Sequence, residues 1–198
     1  MPQHTAKCGR YAPRVVDSPA VVAEHTPNPH AIKFLLGRTL LDEPYDFEAP
    51  ELAAASPLAA ALFARAGVRR VFLGPDFVVV TKAAEVSWSE LAPPVLQTLR
   101  EFLVSGGPAV GPEATPARAQ MPCGEEAARL ERVLLEQIQP LVAAHGGDVE
   151  LISFAGGVAR LALRGACAGC PASELTLRGQ IERRLRAEFP DLVRVEQV

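Results

Sequence analysis

The 198-residue sequence has few cysteines, few aromatic side chains and no long apolar run. Each shortage removes a class of protein. Four cysteines at irregular spacing are too few for a disulfide framework, so a reducing compartment is expected. No apolar stretch approaches the roughly 18 residues that a membrane-spanning helix needs. Basic residues are not in excess: 20 Lys and Arg stand against 23 Asp and Glu, a net charge of −3. Arg69-Arg70 and Arg183-Arg184 are isolated pairs that form no stripe, so neither nucleic acid nor membrane is an expected partner. The first 20 residues, MPQHTAKCGRYAPRVVDSPA, lack the continuous apolar region of a secretory signal. They read as a flexible tail (residues 1–23) of a bacterial cytoplasmic protein. Their basic character keeps a transit peptide, and with it the mitochondrial matrix, as the alternative.

What is present is apolar content of 48%, enough to bury a core. Residues 106–123, from GGPAVGPEATPARAQ to Cys123, are rich in Gly, Pro and Ala and have a linker composition. They divide the chain into two blocks, 24–105 and 124–198. In the first, Ile32, Phe34 and Leu36 alternate as in a half-buried strand. Ser56-Pro57 is an N-cap followed by proline at the first helical position. VRRVFL and FVVVTK flank Gly74-Pro75-Asp76 as a hairpin. Ser87 to Glu90 form a capping box for a helix reaching Val104, which Pro93 and Pro94 are expected to bend or restart.

In the second block Leu130, Val133, Leu134, Ile138 and Leu141 mark a helix ending at His145-Gly146-Gly147, which Pro140 is expected to kink or to divide by splitting off its last turn. VELISF and VARLALR form two strands around Gly156-Gly157, and Arg160, Ala162 and Arg164 give the second strand a wet face. Leu177, Ile181, Leu185 and Phe189 are the buried stripe of a further helix, which Pro190 ends before LVRVEQV supplies a third strand. The expected fold class is α+β: two small α/β domains joined by a linker, the second ordered α-β-β-α-β.

Residues 165–171, GACAGCP, fall between the second strand and the second helix of that block. Pro171 in the first helical turn would put Cys170 near the N-cap, with backbone N–H groups and the helix dipole pointing at both sulfurs and favouring thiolate at Cys167 and Cys170 alike. A thioredoxin-like dithiol also places its pair at a helix start, but in a βαβ setting, whereas the strand here comes from a hairpin. A structural zinc site needs four ligands, and the other candidates, Cys8, Cys123 and His145, are scattered. Two chains meeting at this loop would pool Cys167 and Cys170 into a Cys₄ set, which suits a [4Fe–4S] cluster in a homodimer.

The run from His145 to Val198 resembles the C-terminal domain of the NifU/Nfu iron–sulfur scaffold and carrier family. The matching stretches are His145-Gly146-Gly147-Asp148, Gly156-Gly157, Gly165 through Pro171, and Val195 to Val198. Thr26-Pro27-Asn28-Pro29, Lys33-Phe34, Ser56-Pro57-Leu58 and Gly74-Pro75-Asp76-Phe77 resemble the N-terminal domain of the mitochondrial-type members. The resemblance implies a carrier without catalytic turnover that delivers an assembled cluster to recipient apoproteins. It makes Cys167 and Cys170 the cluster and metal ligands. The cluster would be [4Fe–4S], with [2Fe–2S] as the other form. An upstream assembly scaffold would be a partner, and sulfide must come from elsewhere. His145 and Asp148 lie in the signature without an assigned role, and Cys8 and Cys123 match nothing. The alternative from another class is a dithiol–disulfide oxidoreductase using the same pair; a third is a constitutive zinc protein.

Overall fold

A computed structural model describes residues 21–117, 124–170 and 178–198. The expectations placed on residues 1–20, on 118–123 including Cys123, and on Pro171 through Leu177 lie outside the described residues.

The first unit is a five-stranded antiparallel sheet, built from β1 (Val22–His25), β2 (Ala31–Leu35), β3 (Tyr45–Phe47), β4 (Val68–Leu73) and β5 (Phe77–Lys82) in the order β1-β2-β5-β4-β3. Period-two alternation sends Ile32, Phe34, Val71, Leu73, Val78 and Val80 to one face. There they form a core with Leu58 and Leu62 of α1 (Pro57–Phe63) and Leu91, Val95, Leu99 and Leu103 of α2 (Trp88–Ser105). Ser56 caps α1 as its sequence requires, accepting from the Ala59 N–H at 3.0 Å. Gly106, at φ +67°, closes α2 by donating its N–H to Phe102. Pro93 and Pro94 neither end nor restart α2, which runs through them. Each removes one donor, but the apolar stripe buried on both sides of them holds the helix in one piece.

Two other expectations change here. β2 is not a strand with one wet face, because Ala31 and Lys33 on its second face are also buried. Part of the expected linker lies on the first unit. Ala109 joins its core and its carbonyl accepts from the Ser56 hydroxyl at 2.6 Å, while the Gly111 and Ala117 N–H groups donate to Ala55 and Pro44.

The second unit begins with α3 (Glu125–Val133), a π-helical turn over Leu134–Ile138, and α4 (Gln139–Ala144). Pro140 falls in the first turn of α4. Its missing N–H and its ring disfavour an ordinary α-turn at this place, and the wider turn accommodates both. The wide turn also shifts the buried face by one residue: Val142 is buried where the α-period points to Leu141, which is exposed. β6 (Gly147–Ala155) and β7 (Val158–Gly165) form the expected hairpin, turned by Gly156 and Gly157, both at positive φ. α5 (Arg178–Glu188) then leads to β8 (Arg194–Gln197), which pairs parallel to β7 and leaves β7 in the middle of the sheet. Leu130, Leu134, Ile138, Val142, Leu151, Leu161, Ile181 and Leu185 fill the second core.

Candidate functional site

β7 runs out at Gly165, and the chain turns at once. The Ala166 N–H donates back to Gly146, Cys167 to Arg164, Ala168 to Gly165 and Cys170 to Cys167. Gly165, at φ +62°, makes this turn possible, and a Cβ there would stand 2.5 Å from the Gly146 carbonyl oxygen. Two glycine-rich corners, 145–147 and 165–166, are therefore in contact, and the cysteine loop hangs from them.

Cys167 and Cys170 are both thiols and both nearly buried, at 5% and 4% exposure. Cys167 belongs to the second core. Its sulfur lies over Gly147, where an added Cβ would come within 2.4 Å of Sγ. This explains one part of the His145-Gly146-Gly147-Asp148 stretch: Gly147 is the seat of Cys167. Asp148 is buried beside it, whereas His145 ends α4 as an exposed C-cap residue. On its open side the loop borders a cleft of about 360 Å³, lined by Asn28, His30, Lys82, Ala168 and Gly169 among others.

Electrostatics reverse the expectation of a ready thiolate at Cys167. Burial, with smaller contributions from the charges of Cys170 and Asp148, pushes its thiol up to about 12. The pull of a helix start at Pro171 falls on residues outside the described set. The folded chain keeps this proton over a range in which the unfolded chain has lost it. Stability should therefore fall as pH rises from about 9 to about 12, by at most about 4 kcal/mol. Denaturant unfolding across that range, wild type against Cys167→Ala, checks this: the wild type should lose more stability than the variant.

The first unit supplies contacts the sequence did not announce. Asn28 Nδ2 donates to the Ala166 carbonyl at 3.0 Å, and Lys33 Nζ donates to the Ala143 carbonyl at 2.9 Å. Ala166 packs with Ala31, Phe72, Phe77 and Val79 in a small third core between the two units. A lysine in a strand otherwise buried on that face was the available signal for this contact. Among the described residues no group of three or more His, Cys, Asp or Glu side chains gathers as a metal site.

Comparison with known proteins agrees with this division. Residues 21–106 match the family profile "Scaffold protein Nfu/NifU N terminal", and residues 130–196 match "NifU-like domain". The human protein named "NFU1 iron-sulfur cluster scaffold homolog, mitochondrial" is 38% identical over 90% of this chain and 71% of its own length. The protein of the same name from Drosophila persimilis is 35% identical over 90% of this chain and 64% of its own length. A solution structure of a NifU-like protein from Saccharomyces cerevisiae aligns at 23% identity with a TM-score of 0.45, covering 57% of this chain and all of that one, too loose a fit to carry an argument. With both domain types present in order and the human relative covered over most of its length, the chain belongs to the two-domain Nfu family.

Proposed function

We propose that the protein is an iron–sulfur cluster scaffold and carrier. In this reading Cys167 and Cys170 from each of two chains hold one [4Fe–4S] cluster as cargo, and it passes to recipient apoproteins. The observation that carries the reading is the loop itself: two thiols separated by two residues, set on glycine corners at the end of a central strand. Thiolate sulfur suits iron–sulfur clusters, which take about four such ligands, and each chain offers a pair. Loading requires both thiols to release their protons, so cluster uptake is coupled to proton release. Transfer proceeds by exchange. An incoming thiol of the recipient binds iron as thiolate, and its proton passes to the departing cysteine, one ligand at a time.

The dithiol reading fares worse, because a redox pair needs one accessible thiol and both Cys167 and Cys170 are buried. We place the division of labour at residues 24–105 and 124–198, with the cluster on the second domain. An upstream assembly scaffold supplies the cluster. The compartment is reducing: the bacterial cytoplasm, or the mitochondrial matrix, an alternative supported by relatives that are named as mitochondrial. No helix among the described residues is long and apolar enough to cross a membrane.

Anaerobic reconstitution with native mass tests this. About two irons and two sulfides per chain in a dimer are expected. A monomer that takes up no iron and closes a Cys167–Cys170 disulfide would replace the carrier reading with the redox one.

A further inference from the structure

Both corners of the Cys167 seat are gripped from the other domain. At one corner Asn28, buried at 3% exposure, donates to the carbonyl of the residue just before Cys167. Its Oδ1 accepts from the His30 N–H at 3.0 Å, and the one proton of the Thr26 hydroxyl is shared between the Asn28 and Ala31 carbonyls, so the turn that carries the amide is itself held. At the other corner Lys33 reaches the last carbonyls of α4, Ala143 at 2.9 Å and Ala144 at 3.5 Å. That is where a cation complements a helix end. Its ammonium also lies 4.8 Å from the Phe77 ring centroid. Between the two polar contacts Phe72 and Val79 close on the glycines: a Cβ at Gly165 would come within 3.2 Å of Phe72, and one at Gly146 within 2.9 Å of Val79.

We propose that Asn28 and Lys33 are positioning residues for the cysteine loop, and that the first domain is a latch holding Cys167 inward in the metal-free chain. Its purpose rests on the carrier reading; its geometry does not. A cysteine that shares a cluster with a second chain has to turn its sulfur out of its own core. Cys167 cannot do so while Ala166 is tied to Asn28 and packed on Phe72, Phe77 and Val79. Cluster loading and release of the first domain are therefore coupled, and the coupling is reciprocal: what opens the domains frees Cys167, and what draws Cys167 out opens the domains.

Two variants cut the latch without emptying the core. Asn28→Asp keeps the acceptor for His30, loses the donor to Ala166 and turns a carboxylate oxygen against that carbonyl; Lys33→Met keeps the stem and loses the ammonium. In the metal-free full-length chain, N-ethylmaleimide labelling of Cys167, followed peptide by peptide, should run roughly tenfold faster in either variant, the scale set by one lost hydrogen bond. Circular dichroism should stay that of the wild type. Hydrogen exchange across residues 163–168 should rise in step. Folded variants that label at the wild-type rate would overturn the latch. A wild-type chain that takes up no cluster would sink the carrier reading instead, and would leave the labelling result standing.

Discussion

Serine in place of either cysteine of the pair, Cys167→Ser or Cys170→Ser, is expected to abolish cluster retention. In a site shared by two chains one substitution removes two of four thiolates at once, because symmetry repeats it. Oxygen is a harder ligand than sulfur, and a hydroxyl does not ionise at neutral pH, so serine does not substitute for cysteine. Iron retained after anaerobic reconstitution and desalting should fall by about tenfold or more, with loss of the dimer. The metal-free chain should also lose stability at Cys167, where a hydroxyl would replace a sulfur packed in the second core, by up to about 3 kcal/mol. The two effects separate cleanly, since one is read as iron and the other as a melt. A variant that keeps a full complement of iron would remove that cysteine from the ligand set.

Gly147→Ala is the second large effect, and it tests the seat directly. Gly147 does not have positive φ, so alanine brings no backbone strain there. The added methyl meets Cys167 Sγ at 2.4 Å and Val142 Cγ1 at 2.8 Å, and both distances are shorter than real contacts. Overpacking of this kind costs about 1–3 kcal/mol. Relief is easiest on the loop side, because the Cys167 side of the contact ends in a turn and Val142 belongs to a helix packed in the core. The methyl should therefore push Cys167 outward as well as destabilise the domain. Adding Cys167→Ala removes the sulfur and should recover most of the loss, giving a positive coupling in a double-mutant cycle. Equal, additive losses would mean that Gly147 is needed for some reason other than the sulfur.

Much of the fold was legible because most of its elements are set by local chemistry. Ser56-Pro57, the alternation around Gly74, the Gly156-Gly157 turn and Pro190 each act within a few residues, and each appears where the pattern placed it. Cys167 and Cys170 were legible as a pair for the same reason. The rest depended on distance along the chain. Lys33 marks the face, but nothing near it or Asn28 says that Ala143 and Ala166 are their partners, since those contacts exist only after the two domains meet. Burial of Ala31 and Lys33 has the same origin, and so does the difference between the thiolate expected at Cys167 and the proton it holds. Dipoles and motifs can be read locally, whereas desolvation belongs to the assembled core. Leu141 shows a different failure: the period was right, and one wide turn changed its phase.

That wide turn gives the helix a slack residue. Over Leu134–Ile138 the chain spends one amino acid more than an α-turn would use, and the stretches on either side are each regular by themselves. Loss of a single codon there, in a chain that also lacks Pro140, would tighten the turn and leave the directions of α3 and α4 nearly unchanged. A one-residue gap in the middle of this helix, when homologous chains are aligned, is thus a conservative change in length and no sign of a boundary.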